Sequence, residues 1–128
     1  MDLAEYFEQH DGVGILGTSD ADGGVDVALY AKPVVVDERT LAFVMKQRLS
    51  HQNLKSTLRA AYLFLEKDAA YKGLRLYLTM LREESNQTLI AAMRKKQPCI
   101  YPEKDDSAKY LVFFNVDRIR PLVGDDPV

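Results

Sequence analysis

The sequence predicts a mainly β protein of the α+β class, built as a six-stranded antiparallel barrel with about three flanking helices. Three observations lead to this prediction. Apolar residues alternate with smaller or polar ones in short β-prone runs. Turn residues separate successive runs, so that most strands follow one another in meander order. Helical spacing of apolar residues is confined to three segments. Six strands in this order favour an antiparallel barrel over a doubly wound sheet.

The six predicted strands cover residues 13–18, 25–31, 41–45, 60–66, 73–82 and 108–119. Residues 34–36 are interpreted as extended chain that continues past Pro33, which ends or edges the second strand. A turn at residues 19–24, rich in Asp and Gly, joins the first two strands into a hairpin. Gly14 and Gly17 in the first strand indicate close approach by another backbone or by a ligand.

The three predicted helices each have a recognisable start or end. Asp2 caps the first, with Glu5 in the position of a capping box, and Gly12 suits its C-terminal stop. The second begins at Ser50. Ser85 or Asn86 caps the third, which carries Leu89, Ile90 and Met93 as its apolar stripe and ends in Arg94, Lys95 and Lys96. Cations suit a helix C-terminus, so this basic run is interpreted as a helix end and not as a nucleic-acid patch.

The composition is that of one globular domain over residues 1–128, with a polar tail at 124–128. Apolar residues make up 47 % and charged residues 28 %, which is ordinary for such a domain. The net charge of −2 argues against general nucleic-acid binding. Cys99 is the only cysteine, which fits a reducing compartment. The first ten residues lack a signal-like basic segment, and no apolar run is long enough to cross a membrane. We therefore expect a cytoplasmic protein that does not contact the membrane.

The most informative stretch runs from residue 40 to residue 57. A strand containing Leu41, Phe43 and Met45 ends at Lys46, and a helix follows. No acidic residue occurs between Glu38 and Glu66, whereas five cations do: Arg39, Lys46, Arg48, Lys55 and Arg59. Free N–H groups at a helix N-terminus favour an anion, so this junction is a candidate phosphate site. The alternative interpretation is a solvated loop with Ser50 as N-cap.

Other chemistry finds no support in the sequence. Two histidines forty-one residues apart and a single cysteine make no metal-ligand pattern. No nucleophile elbow, glycine-rich phosphate loop or dinucleotide fingerprint occurs. The carboxylates fall in turns and at helix ends, where solvated acids belong. From the residues alone, the chain is a small β-barrel with one candidate phosphate site.

In its order of elements, the chain resembles the FMN-binding split β-barrel family, which is pyridoxamine 5′-phosphate oxidase-like. The resemblance is most specific over residues 43–65, where Arg48-Leu49-Ser50-His51-Gln52-Asn53-Leu54 matches the phosphate-loop region. It implies a six-stranded antiparallel split β-barrel that binds FMN. Ser50 stands where the family usually has a lysine, which leaves Arg48, Ser50 and His51 to hold the phosphate. The chain lacks the Arg-x-His of the oxidases, which argues against their own reaction.

The same resemblance implies which residues bind the cofactor. The end of the second strand would lie against the flavin, and Lys32 would favour negative charge on the reduced ring. Val27 stands where the family usually has an arginine. The turn before the strand at 73–82, with Tyr71, Lys72 and Gly73, would reach the flavin of a partner subunit. The implied cofactor-binding residues are Val27, Ala28, Leu29, Tyr30, Lys32, Val44, Met45, Lys46, Arg48, Ser50, His51, Asn53, Tyr71, Lys72 and Gly73. The alternative for Tyr30 and Lys32 is packing on an outward strand face, and for His51 a water-facing position in the first helical turn.

The resemblance leaves three functions open. The first is an FMN-dependent oxidoreductase with unknown substrate, working as a homodimer with flavin at the interface. The second is a non-catalytic flavin-binding protein or electron carrier. The third is a split barrel that binds haem or a deazaflavin, with His51 as the first haem ligand to suspect.

Independently, the strand at 73–82 carries bulky residues on both faces, including Leu81 and Tyr77, which predicts that a second subunit covers some of them.

Overall fold

The computed structural model describes residues 1–46, 49–95 and 109–124. Within these residues the chain forms three helices and seven strands. In chain order they are α1 (Leu3–Gln9), β1 (Gly12–Ser19), β2 (Val25–Tyr30), β3 (Val34–Asp37), β4 (Thr40–Lys46), α2 (Leu49–Thr57), β5 (Arg59–Glu66), β6 (Gly73–Glu84), α3 (Gln87–Lys95) and β7 (Lys109–Pro121). The mainly β class and the three helices are thus confirmed. No helix in the described part of the chain is long and apolar enough to span a membrane.

All seven strands belong to one antiparallel sheet in the order β2-β1-β5-β6-β7-β4-β3. The sheet is not closed by hydrogen bonds, because β2 and β3 remain at its edges. It is nevertheless rolled. Five strand spacings of about 4.8 Å separate β2 from β4 in a flat sheet, yet the rings of Tyr30 and Phe43 on these strands are 6.0 Å apart. The inner face therefore encloses a core, as in a barrel that has been split along one side.

The prediction of six strands was wrong by one. Residues 34–37 are a separate strand, β3, in which Val34 pairs with Ala42 and Val35 with Leu41. The residues between β2 and β3 include Pro33 and carry the chain from one edge of the sheet to the other. A proline lacks the N–H that a continuous strand would need, so the second predicted strand ends early and a new one starts on the opposite edge.

The main core lies on the inner face of the sheet and is closed by helices. Apolar residues of β1, β4, β5, β6 and β7 meet there, and α1 contributes Leu3 and Phe7 while α2 contributes Leu54. Asp2 caps α1 by accepting a hydrogen bond of 3.1 Å from the N–H of Glu5, as the sequence predicted. The anticipated close approach at Gly14 is explained by Tyr62, whose hydroxyl occupies the space that a side chain at position 14 would fill.

The outer face of the sheet is covered unevenly. Helix α3 packs outside β4 and β7 and forms a second cluster from Ala42, Ile90, Leu111 and Phe113. The outer face at the opposite edge is exposed, with Val25 at 82 %, Val27 at 72 % and Leu29 at 53 % of their full accessible areas. Val13 and Leu65 on the neighbouring strands are exposed as well. An apolar sheet face of this kind is uncommon on a monomeric protein and indicates an interaction surface.

Candidate cofactor site

The candidate site lies where β4 ends and α2 begins. Lys46 is the last residue of β4 and Leu49 the first of α2. Arg48, the predicted phosphate-binding arginine, lies outside the described residues, as does Gln47. Ser50 is the second residue of the helix and is only 3 % exposed. The interpretation of Ser50 as the N-cap of a solvated loop was therefore wrong, because the helix starts before it and its side chain is buried.

Three polar side chains attach α2 to the hairpin formed by β1 and β2. The Ser50 hydroxyl donates to Oδ2 of Asp26 at 3.3 Å, and the Asn53 amide donates to Oγ1 of Thr18 at 3.1 Å. Thr57 donates to the Ser19 carbonyl at 3.1 Å. Their spacing of three and four residues puts all three on one helix face. Thr18 and Asp26 are themselves directly opposite each other in the β1–β2 pair, so the helix is positioned against one end of the hairpin.

His51 faces the other side of the barrel end. It is 1 % exposed, and its Nε2 lies 2.6 Å from Oε2 of Glu83 in β6. Its ring stacks on Tyr110 of β7 with centroids 4.3 Å apart and planes inclined by 13°. The water-facing position considered for His51 was therefore wrong. Ser50, His51 and Asn53 do lie together at the start of α2, but each one is hydrogen-bonded to a protein group.

The predicted residues of β2 divide between its two faces. Ala28 and Tyr30 point inward with Asp26, and the Tyr30 ring packs edge-on against Phe43. Val27 and Leu29 point outward and are exposed. A ligand lying outside this strand would therefore contact the side chains of Val27 and Leu29 and the backbone between them. Val44 and Met45 of β4 use their side chains in packing: Met45 belongs to the main core and Val44 packs against the cluster beneath α3.

Lys32 is held at the end of α1. Its ammonium donates to the carbonyls of Phe7 at 2.7 Å and His10 at 3.1 Å, and it pairs with Oδ1 of Asp11 at 3.1 Å. A cation on the last carbonyls of a helix is stabilised by the helix dipole. Lys32, two residues after β2, thus attaches the chain that follows this strand to the end of α1, and its contact with a flavin stays a prediction.

The turn carrying Tyr71, Lys72 and Gly73 lies at the other end of the sheet. The pairing of β1 with β5 runs from Thr18 opposite Ala60, near α2, to Gly12 opposite Glu66, near this turn. At about 3.3 Å per residue, the two ends are about 20 Å apart. Tyr71 is 82 % exposed with a φ of 57°. Gly73 is packed against the Phe64 carbonyl, which leaves no room for a side chain. The turn therefore does not join the α2 site within one subunit.

The described residues hold little else that resembles a reactive centre. No group of three or more His, Cys, Asp or Glu residues in this part of the chain is arranged to bind a metal. A cavity of about 810 Å³ lies away from α2, between the N-terminus of α1, the β3–β4 turn and β7. Side chains of both charge signs line it: the arginines Arg39 and Arg118 and the carboxylates Asp37 and Asp117 are among them. No residue predicted for the cofactor site lines this cavity, and the α2 junction remains the candidate site.

No family model matches the sequence, and no curated protein matches it. Solved structures do. An FMN-binding protein from Syntrophomonas wolfei superposes with a TM-score of 0.76 at 17 % identity, covering 94 % of this chain and 83 % of that one. An F420 reductase gives 0.68 at 17 % identity, covering 91 % and 94 %. A heme binding protein from Mycobacterium smegmatis gives 0.61 at 18 % identity, covering 92 % and 51 %.

These matches share one fold, but their names give three different cofactors: FMN, F420 and heme. Candidate pyridoxamine 5′-phosphate oxidases are also among the matches. At such identities the likeness concerns the fold. It extends over nearly the whole of this chain, including the elements on both sides of the α2 junction. The structural likeness therefore confirms the resemblance inferred from the sequence: the chain has the split-barrel fold of the FMN-binding, pyridoxamine 5′-phosphate oxidase-like proteins.

Proposed function

We propose that the protein binds FMN, with the phosphate at the start of α2 and the flavin ring along β2, and that it serves as a flavin-dependent oxidoreductase. The observation that carries the proposal is the position of α2. Its N-terminus follows the basic end of β4 and lies beside β2, whose outer residues Val27 and Leu29 are exposed. A phosphate position and an apolar strand are thus adjacent in a fold shared with an FMN-binding protein.

The donor groups at this junction suit a phosphate dianion. The first N–H groups of α2 have no partners within the helix and point toward its N-terminus. Lys46 ends the preceding strand, and the sequence places Arg48 next to the helix start. When bound, FMN would supply the redox chemistry through its ring. The chain would bind the phosphate, orient the ring against β2, and shield one ring face with Val27 and Leu29.

The histidines support flavin over haem. The chain has two, and Nε2 of each faces a carboxylate: that of His51 is 2.6 Å from Glu83, and that of His10 is 3.7 Å from Glu66. Either imidazole would have to leave its carboxylate to ligate iron through Nε2. The buried His51 would also leave the ring of Tyr110. A deazaflavin differs less from FMN than haem does, because it also carries a flat ring and an anionic group.

A two-fold dimer completes the proposal. The exposed outer face of β2, continued by Val13 and Leu65, needs a cover. We expect a symmetric partner placed on it to bring its own copy of the Tyr71 turn to the flavin, as the resemblance implies. Leu81 of β6 is 57 % exposed, and this residue was one basis for expecting a dimer from the sequence. The lone cysteine favours the cytoplasm as the compartment.

The proposal is tested with purified protein. We expect flavin absorption bands, release of FMN on denaturation, and tighter binding of FMN than of riboflavin by the apo-protein in a fluorescence titration. A haem Soret band, binding of a deazaflavin alone, or no binding of any flavin would overturn it. Mixing of the FMN complex with NADH or NADPH and an added electron acceptor then separates an enzyme from an electron carrier, because only an enzyme oxidises the nicotinamide in repeated turnovers.

A further inference from the structure

We propose that Asp26 determines how strongly this protein prefers phosphate-bearing flavins, by occupying the Ser50 hydroxyl and placing a negative charge at the start of α2. The inference rests on the proposed FMN site. Asp26 was not among the residues expected to bind the cofactor, because the sequence shows only a carboxylate in a strand. The structure turns that carboxylate inward, toward the helix.

The position of Asp26 follows from the alternation of β2. Val25 and Val27 on either side point outward, so Asp26 points to the inner face, directly opposite Thr18. Its Oδ2 accepts the hydrogen bond from Ser50. A hydroxyl has a single hydrogen to donate. While Ser50 donates to Asp26, it has none to offer a phosphate.

The charge of Asp26 matters more than the hydrogen bond. The dipole and free N–H groups that attract a phosphate to a helix N-terminus also stabilise a carboxylate there. Ser50 is in the first turn of α2, and Asp26 is its partner. The carboxylate thus lies beside the first turn of α2 before any ligand arrives. A dianionic phosphate binding at the same turn is repelled by this charge, whereas the uncharged ring of riboflavin is not.

The helix itself does not depend on Asp26 alone. Asn53 and Thr57 bond to Thr18 and Ser19 on the same hairpin, and Leu54 is fully buried in the main core. Neutralising Asp26 therefore removes a charge while leaving the other attachments of α2 in place. The predicted effect is specific: FMN binds more tightly, and riboflavin binds as before.

The experiment compares Asp26→Asn with Asp22→Asn in fluorescence titrations of the apo-proteins with FMN and riboflavin. Asp22 is an exposed residue of the β1–β2 turn and is not the partner of Ser50, so Asp22→Asn makes the same change in net charge without touching that hydrogen bond. A charged group close to an ionisable group changes its ionisation equilibrium by about tenfold or more, and we expect an effect of the same size on the binding of a phosphate. We expect Asp26→Asn to lower the FMN dissociation constant by about tenfold, with the constant for riboflavin unchanged, and Asp22→Asn to change neither.

Two further variants separate charge from shape. Asp26→Glu keeps the charge and should not tighten FMN binding. Asp26→Ser removes the charge with a smaller side chain and should tighten it, which keeps the test decisive if Asp26→Asn folds poorly. Unchanged or weaker FMN binding in both neutral variants, in a protein that still prefers FMN to riboflavin, overturns this inference alone. Failure of every variant and of the wild type to bind FMN overturns the proposed function, and the inference with it.

Discussion

The imidazole of His51 lies 2.6 Å from the carboxylate of Glu83, and this contact joins α2 to β6 across 32 residues of sequence. The histidine is almost fully buried, while the glutamate side chain is 31 % exposed. The ring is also stacked on Tyr110. The start of α2 is thereby attached to β6 and β7 through His51 and to β1 and β2 through Ser50 and Asn53.

Replacing Glu83 by Ala should destabilise the fold, because a buried imidazole nitrogen loses its partner. An unsatisfied buried polar group costs about 1–3 kcal/mol. The control is Glu84→Ala, since the ion pair that Glu84 makes within the described residues is a surface pair with Arg82 at 3.8 Å, and such pairs contribute about 0–1 kcal/mol. Urea unfolding of both variants measures the difference. Equal losses of unfolding free energy would show that the His51–Glu83 contact contributes nothing particular.

Replacing Arg48 by Ala should weaken FMN binding without affecting riboflavin. A guanidinium makes paired, charge-assisted hydrogen bonds to a phosphate, and such bonds contribute about 1.5–3 kcal/mol. The expected loss is about tenfold to a hundredfold, measured by fluorescence titration. Arg118→Ala is the control, because this exposed arginine of β7 lies toward the other end of the sheet. Equal losses for FMN and riboflavin would mean that Arg48 shapes the loop and does not bind the phosphate.

Replacing Ser50 by Ala should act in the same direction as Arg48→Ala, but by less. It removes one neutral donor, which would have to leave Asp26 before it could bind the phosphate. We expect less than about a tenfold loss of FMN affinity, because a neutral hydrogen bond contributes about 0.5–1.5 kcal/mol. The same titration measures it. A larger loss than that of Arg48→Ala would reverse the assigned order of importance.

A charge on the exposed outer face of β2 should abolish the proposed dimer. In sedimentation at micromolar concentration, we expect the wild type to show twice the 14.5 kDa subunit mass and Val27→Asp to show the subunit mass. The control is Val36→Asp, which places the same charge on an exposed valine of β3 at the opposite edge of the sheet. A wild type that sediments only at 14.5 kDa, or equal dissociation by both variants, would contradict this interface.

Alkaline pH should destabilise the fold through Tyr6. Burial and the hydrogen bond that its hydroxyl donates to Glu66 at 2.6 Å raise the pKa of Tyr6 above the ordinary value of 10.0. Above pH 10.0 the unfolded chain therefore loses this proton first, and stability falls as the pH rises. Tyr6→Phe should lose less unfolding free energy between about pH 9 and pH 11 than the wild type does. The exposed Tyr71→Phe serves as control, and identical pH slopes in all three proteins would contradict the assignment.

The sequence was sufficient for what depends on local periodicity. Leu74, Leu76 and Leu78 alternate along β6, and all three are buried on one face of it. The stripe of α3 was also correct, because Ile90 is buried and Leu89 and Met93 pack beside it. These results follow from the fixed side-chain periods of strands and helices, which neighbours in the sequence determine.

Local periodicity could not predict which residues the site residues contact. Lys32 reaches the end of α1 across more than twenty residues, and Ser50 reaches Asp26 across 24. Such pairs are determined by the rolling of the sheet and by the packing of α2 on the hairpin, not by spacing along the chain. The strand at residues 34–37 was missed for a similar reason, because its pairing partner β4 becomes available only at the far edge of the sheet.

The contact between Tyr62 and Gly14 constrains how this chain can change over evolutionary time. The Tyr62 hydroxyl takes up the space beside Gly14 and shares its one hydrogen between the carbonyls of Tyr30 and Ala31, at 3.4 Å and 3.1 Å. A methyl group at position 14 would collide with that hydroxyl, with the ring carbon that carries it and with the Tyr30 carbonyl. A phenylalanine at position 62 would therefore not make room for it, and position 14 should remain glycine in descendants of this sequence.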